Sequence, residues 1–598
     1  MTSFGFYQPD ASEDERSVLR GYCKSLEHPE GAWYFTEKFG CNMLDMASEN
    51  GRTLFMRGSP LALTQPAKPL SAHALLQRLA TDPEEGLSKL AGSFSLIFID
   101  SIQKRLLMAV DRMGIERLVY CLHNGRLLFG SQATDIVNAP DVKAPISHQR
   151  IFDYLFFHMI PSPNCVFEGI KKIEPGTYVM VEKGQLQVKT YWHPDYTDHN
   201  HASFRQQRDI LHNRLRNAVI NSSPDDATGA FLSGGLDSST VAGYLARTQD
   251  SSPKTFSIGF DVEEYNELAY ARLTRDHFGC HGYEYVVEPA DIVSAFPRIA
   301  AAYDEPFGNS SVIPTYFCAK LAQEHGITHL LAGDGGDEIF AGNERYVTQQ
   351  IFELYHKLPG AMTRGFLDPL AKRISAESNF VPLRKMKSYI DQANIPLPQR
   401  LESWNYAHRE GVSSMLTEEF AQLIDSTTPF SLMKQVYDAC PSDQTNDRLL
   451  AYDWHFTLAD NDIRKVSTMC NLAGIKVSYP MLDTDLVEFA ISIPASKKIR
   501  RFQLRAFYKA AMKGFLPDAI LRKSKHGFGL PFGIWLKTDR NLADMIFSNL
   551  SDLKKRNYFK PEFLDSLMQQ HREGHAAYYG YFIWDLAILE EWFKQHGY

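Results

Sequence analysis

The segment Ser233-Gly234-Gly235-Leu236-Asp237-Ser238-Ser239 lies between an apolar run, Gly229-Ala230-Phe231-Leu232, and a helix-forming run from Thr240 to Ala246. A short strand that turns through two glycines directly into a helix is the repeating unit of a parallel sheet, so this loop commits its part of the chain to an α/β fold. Glycines let successive N–H groups point at one anion, the helix start contributes the positive end of its dipole, and serine hydroxyls add donors. The loop is therefore predicted to cradle phosphate through Ser233, Gly234, Gly235 and Ser238, with Asp237 placed to hold magnesium. Kinase-like or GTPase-like γ-phosphate chemistry is not expected, because a Walker loop needs Gly-Lys-Ser/Thr and the chain contains no Gly-Lys dipeptide.

Further apolar strands, Thr255-Phe256-Ser257-Ile258 and His329-Leu330-Leu331-Ala332, alternate with helical periodicities. The second of them runs into another glycine-rich loop, Gly333-Asp334-Gly335-Gly336-Asp337-Glu338. In a parallel sheet the loops after the strands gather at the carboxyl edge, where ligands bind, so the two loops are expected to face each other. Acids so closely spaced repel one another, and a divalent cation offsets that repulsion while bridging carboxylate to phosphate.

The first third reads differently. Short alternating runs (Phe94 to Ile99, Leu106 to Val110, Leu118 to Leu122, Leu127 to Phe129) predict antiparallel strands, with hairpins at Asn124-Gly125 and Lys183-Gly184. The polar stretch His193 to His201 reads as a solvated linker rather than a metal site, dividing the chain into residues 1–193 and 203–598. Near the end, Tyr581, Trp584, Ile588 and Trp592 recur at helical spacing and are assigned to core packing. With 63 Lys and Arg against 71 Asp and Glu, the net charge of −8 argues against a nucleic-acid partner. No apolar run approaches membrane-spanning length and the first residues lack a signal pattern, so a cytoplasmic protein with no membrane partner is expected. Eight cysteines lie far apart without zinc spacing and read as reduced structural thiols.

Taken together, these loops resemble the asparagine synthetase family, in which a glutaminase-type domain precedes an ATP-pyrophosphatase domain. Phe256-Ser257-Ile258-Gly259-Phe260, Asp304-Glu305-Pro306-Phe307 through Pro314, Pro480-Met481-Leu482-Asp483 and Lys525-His526-Gly527-Phe528-Gly529-Leu530-Pro531 resemble further family motifs. So do Gly92-Ser93-Phe94, Asp111-Arg112-Met113-Gly114 and Phe129-Gly130-Ser131 in the first third. The resemblance implies an N-terminal Ntn-hydrolase-like αββα sandwich, then a parallel-sheet α/β domain of the PP-loop type with a helical C-terminal part. It implies adenylation: a carboxylate attacks the α-phosphorus of ATP, pyrophosphate leaves, and an amine or ammonia displaces AMP to form an amide. Leu232, Ile258, Ala332 and Gly333 would line the adenosine, Asp237 and Asp337 would hold Mg2+, and Asp334 and Lys525 would be catalytic.

Departures from the family pattern shape the remaining expectations. Relatives that hydrolyse glutamine carry a cysteine at position two, where this chain has Thr2, and the Asn-Gly-Glu segment is absent from Gly51 to Ala80, so the first domain is expected to lack glutaminase activity. Before Pro480, Lys476 and Ser478 replace an acid and an arginine, and Ser467 replaces an aspartate, so aspartate is not assumed as the substrate. The leading expectation is an amide ligase using ammonia or a substrate amine, like the β-lactam synthetases and lasso peptide cyclases. The cyclase form would bring a precursor peptide and its processing protease as partners. An asparagine synthetase-like enzyme amidating aspartate with ammonia or glutamine, and an inactive ATP-binding scaffold, are the alternatives.

Overall fold

The computed structural model describes residues 2–8, 24–28, 31–38, 45–63, 65–123, 126–139, 142–196, 200–374, 380–524 and 529–598. The first part holds two six-stranded antiparallel sheets. One runs Lys171–Lys172, Val119–His123, Arg126–Gly130, Thr2–Gln8, Gly31–Lys38, Lys24–His28 in spatial order. The other runs Gln185–Thr190, Thr177–Glu182, Arg105–Val110, Phe94–Asp100, Arg52–Gly58, Asp45–Glu49. The hairpin expected at Lys183-Gly184 forms. Lys183 and Gly184 have φ of 50° and 76°, the double positive that a two-residue hairpin turn requires. His123 pairs with Arg126, and Asn124 and Gly125 themselves lie outside the described residues.

Strand alternation builds the layers. Phe55, Ile97, Ile99, Leu106, Met108, Val110 and Val179 face Tyr120, Leu127 and Phe129 of the other sheet. Residues of opposite parity, Leu54, Met56, Leu96, Phe98, Leu107 and Ala109, pack instead with the helices Ala72–Thr81 and Pro83–Ser88. On the outer face of the first sheet, Val119, Cys121 and Leu128 meet Ala133 and Ile136 of a short helix, completing an αββα sandwich.

The second part contains a five-stranded, all-parallel sheet ordered His281–Val287, Lys254–Phe260, Thr228–Phe231, His329–Leu331, Lys476–Ser478. In chain order this is 3-2-1-4-5. The chain reverses its direction of travel across the sheet between the Thr228–Phe231 and His329–Leu331 strands, which opens a crevice at their carboxyl ends. Helices then dominate, ending in Arg540–Leu553, Pro561–Glu573 and Ala576–His596. Trp584, Ile588 and Trp592 are buried as expected, but Tyr581 is half exposed. Within the polar stretch after the sandwich, Tyr196 is buried, so that stretch is not solvated throughout. The two parts share one core: the helix His148–Phe157 packs into the same apolar cluster as the parallel sheet, and Tyr154 donates to the Asp585 carbonyl at 2.7 Å.

Candidate active site

The crevice is a cleft of about 670 Å³ whose walls come from the two glycine-rich loops and from the later helical part. Gly234 has φ of 72°, and a side chain there would run into the backbone of Ala271. The next residue starts the helix Leu236–Thr248 without a side-chain cap, and the first turn of that helix lines the cleft. Ser238 Oγ lies 3.0 Å from Ser233 Oγ and accepts from the Ser233 amide at 3.2 Å, so the cradle is closed on itself by its own serines.

The two loops touch. A Cβ on Gly333 would lie 2.8 Å from the Ser238 nitrogen, and one on Gly336 would lie 2.2 Å from an Asp237 carboxylate oxygen. Only glycine permits that approach, which is the physical reason for the second glycine-rich run. The Pro480-Met481-Leu482-Asp483 motif supports it from below: Leu482 packs against Gly335, and Asp483 caps the helix Thr484–Ser492 by accepting from the Asp485 and Leu486 amides.

Asp237 and Asp337 converge on a single cation, the guanidinium of Arg505. Its two terminal nitrogens each reach Asp237 at 2.7 Å, and one also donates to Asp337. Arg505 takes a left-handed φ of 55° to do so, a conformation that costs a non-glycine residue about 1 kcal/mol. The two carboxylates from the two loops thus share one guanidinium. Among the described residues, no group of three or more His, Cys, Asp or Glu side chains is arranged to hold a metal.

Asp334 stands deeper, beside Lys465 and Asp462, and all three line the cleft. Burial pushes the Asp334 carboxyl up to about 6 despite the opposing charge of Lys465. Burial pulls Lys465 down, but Asp462, at 2.7 Å, and Asp334 outweigh it and hold the ammonium above its ordinary value. Ser467 hydrogen-bonds to the Tyr479 hydroxyl at 2.7 Å, and Ser478 to His329 at 2.9 Å. Charged cleft residues that the sequence reading gave no role include Arg505, Lys523, Glu267, Lys465 and Asp462. Lys523 pairs with Glu267 at 2.6 Å, lies 3.4 Å from the Gly234 carbonyl and covers the Tyr270 ring, so a cation flanks the cradle. A lysine beside the predicted Lys525 was the available signal. Lys525 itself lies outside the described residues.

Leu232 and Ile258 are buried and line the cleft, whereas Ala332, expected with them, is buried but does not line it. Several of their backbone groups are already used: the Leu232 amide donates to Phe256 O at 2.8 Å, its carbonyl accepts from Ser257 Oγ at 2.7 Å, and the Ala332 amide donates to Ser478 O at 2.9 Å. The acids of the Asp304-Glu305 segment do not face the cleft. They bind Arg464, and Glu305 also binds Lys172 at 2.7 Å, which ties the sandwich to the parallel-sheet part. The Asp111 motif is likewise a brace. Its carboxylate accepts from the amides of Phe94, Met113, Ile115 and Glu116, and Arg112 reaches Glu488 at 2.7 Å.

A family model described as asparagine synthase matches residues 211–594, nearly two thirds of the chain. The chain belongs to the asparagine synthase family. A glutamine amidotransferase domain model matches residues 72–192. Asparagine synthetase [glutamine-hydrolyzing] 1 of Bacillus subtilis is 25% identical over 515 residues, covering 85% of this chain and 78% of that protein. Asparagine synthetase [glutamine-hydrolyzing] 3 of the same organism is 24% identical, covering 86% and 80%. Amidase chry2 of Gibberella zeae is 23% identical, covering 75% and 71%. Among solved structures, a Bacillus subtilis glutamine phosphoribosylpyrophosphate amidotransferase covers 55% of this chain and 75% of that chain at a TM-score of 0.20 and 9% identity, too loose a match to carry an argument. Membership in the asparagine synthase family brings ATP-dependent amide formation, a carbon–nitrogen ligation that yields AMP and diphosphate.

Proposed function

We propose that the protein adenylates a carboxylic acid other than aspartate and passes the acyl group to ammonia or to a substrate amine. The observation that carries this reading is the convergence of the phosphate cradle, the Asp237–Asp337 pair and the Asp334–Lys465–Asp462 cluster in one cleft at the sheet's switch point. Ser233, Gly234, Gly235 and Ser238 would hold the pyrophosphate half of ATP, with the helix start and Lys523 opposing the charge that grows on the leaving group. Lys465 is suited to hold the acyl carboxylate, and Asp334, with its carboxyl near 6, to take the proton of the incoming amine. Leu232, Ile258, Ala332 and Gly333 would contact adenosine, and Lys525 would reach the α-phosphate or the acyl oxyanion.

The residues fit a magnesium ion. Mg2+ is usually held by one or two carboxylates together with substrate phosphates, so two aspartates without a third protein ligand suffice once ATP is present. Bound there, it would neutralise charge on the phosphates. Asp237 and Asp337 would hold it in exchange for Arg505, whose guanidinium occupies both Asp237 oxygens and one Asp337 oxygen.

Two observations favour an acceptor other than glutamine-derived ammonia. The six described cysteines are all buried. Burial holds Cys121, Cys165, Cys280, Cys318, Cys440 and Cys470 above the ordinary thiol value, the opposite of an activated nucleophile. In addition, the glutamine-binding Asn-Gly-Glu pattern is missing from Gly51 to Ala80. The replacements at Ser467, Lys476 and Ser478 lie outside the cleft lining but depart from the family pattern, and on that pattern they favour an acyl group different from aspartate, with a peptide side-chain carboxylate, as a macrolactam-forming cyclase would use, among the candidates. A precursor peptide and a processing protease would then be its partners, and a cytoplasmic setting would suit them.

ATP–pyrophosphate exchange across a panel of acids tests the proposal. Exchange with a peptide or β-amino acid and not with aspartate is expected, followed by amide formation with ammonium or the substrate's own amine and none with glutamine. Exchange with aspartate alone would return the protein to asparagine synthesis. ATP binding without AMP release for any acid would make it a scaffold.

A further inference from the structure

Between Glu344 and Ala393 the chain leaves the main core and forms a lobe of three helical stretches, Glu344–His356, residues 360–373 and Val381–Ala393. The lobe has its own small core of Phe352, Tyr355, Ala371, Ile390 and Ala393. Hydrogen bonds close it: Tyr355 to Asp368, Tyr389 to the Ile351 carbonyl at 2.8 Å and Asn394 to Asp368 at 2.8 Å. Its base is fixed, because Arg345 and Tyr346 bind Asp453 at 2.8 and 2.6 Å, and Glu344 lines the active-site cleft.

Among the described residues, eight of twenty-one exposed large hydrophobic side chains fall within residues 351–383, including Met362 at 49%, Phe366 at 63% and Phe380 at 61% exposure. Met362 and Phe366, four residues apart, are both exposed, while Thr363 and Ala371 are buried. The same stretch is basic. Residues 344–393 carry eight Lys and Arg against five acids, a local charge of +3 on a chain whose total is −8. Lys372, Arg373, Arg384 and Lys385 are exposed and flank Phe380, Val381 and Leu383.

We propose that this lobe is a docking surface for an anionic lipid membrane, on which its exposed Phe, Met, Leu and Val side chains enter the headgroup boundary while its lysines and arginines pair with lipid phosphates. An apolar face rimmed by cations is the pattern of interfacial helices, and long basic side chains lay their stems on the apolar surface while keeping their charge in the headgroups. Charge complementarity selects the occupant. Two copies docked through this face would bring Lys372, Arg373, Arg384 and Lys385 of each together, and like charge disfavours self-association through them. No helix among the described residues is long and apolar enough to cross a membrane, so the contact is with the surface. The lobe starts at the cleft wall, so docking would hold the cleft beside the membrane and favour substrates carried on or near lipid.

Vesicle co-sedimentation of the full chain tests this, with phosphatidylcholine alone and phosphatidylcholine mixed with phosphatidylglycerol. Binding is expected only to the anionic vesicles and to weaken as salt rises. The quadruple change Lys372→Glu, Arg373→Glu, Arg384→Glu and Lys385→Glu should weaken it at least about a hundredfold, since each cation near an anionic leaflet matters. The pair Phe366→Ser and Phe380→Ser should weaken it at least about tenfold. Unchanged ATP–pyrophosphate exchange and melting temperature would show these surface variants to be folded. The proposal is overturned by absence of binding at low salt, by phenylalanine variants that bind as well as the parent, or by a concentration-dependent dimer that those variants abolish. It is equally overturned if polyglutamate is bound through the lobe more tightly than the anionic vesicles.

Discussion

Arg464 and Lys465 are neighbours on the helix Ile463–Leu472, yet they serve two different buried charge clusters. Arg464 turns toward the sandwich, where Asp304 and Glu305 bind it and the rings of Tyr303 and Phe307 flank it at 5.5 and 5.3 Å. Lys465 turns toward the cleft, where Asp462 and Asp334 share it. Both clusters are rich in acids drawn from motifs that look equally functional in sequence. The difference lies in what fills the space around them. The Arg464 cluster is enclosed by protein, so its charges are spent on cohesion. The Lys465 cluster borders an open cavity, so its charges remain available to a substrate.

Breaking each cluster should separate the two roles, and the largest effect is expected in the cleft. Asp237→Ala should lower AMP formation by at least about 10⁴-fold, measured by product release, because transition-state charge on the phosphates loses its countercharge. Near-parental turnover would refute the cation seat. In the enclosed cluster, Glu305→Leu should cost about 3–5 kcal/mol in urea unfolding, since Arg464 and Lys172 would stay buried without their shared partner. A loss below about 1 kcal/mol would show that the two parts are held by their common apolar core instead.

The smallest effect is one of sign. Asp334 is raised by burial to about 6, so the stability it contributes is present at low pH and lost as pH rises toward and through 6. Asp334→Asn should therefore gain about 1–3 kcal/mol near pH 7 and nothing near pH 4, while losing the limb of the rate profile that rises through about pH 6. Asp304 runs the other way. Burial pushes it up, but Arg464 and Arg117 hold it below the ordinary carboxylate range, so its contribution disappears on acidification. Thermal melts of Asp304→Asn from pH 3 to 8 check this, and a variant that gained stability at neutral pH would reverse the comparison.

The glycine-rich loops and hairpins were legible in sequence because local backbone requirements fix them. Positive φ at Lys183 and Gly184, and strand-to-helix turns at Gly234 and Gly335, need particular residues at particular positions. Arg505 was not legible. It lies 268 residues from Asp237 and 168 from Asp337, and nothing in its neighbourhood marks it as their partner. Lys523 was half legible, since it stands in a basic run but owes its role to Glu267 and Gly234. The alternation that placed Tyr581 with Trp584, Ile588 and Trp592 was sound as a helix pattern but could not say which face the protein would leave exposed.

By itself the sequence determined the fold class, the family motifs, the two facing loops and the character of the chemistry. Those properties follow from short-range geometry and from residue types at fixed spacing. Tertiary structure decided which acids are structural and which line the cleft, that Asp237 and Asp337 share one guanidinium, and that a basic lobe turns apolar side chains outward. Each of these depends on what packs beside a residue from hundreds of positions away, and burial and charge pairing depend on that surrounding rather than on the residue's own identity.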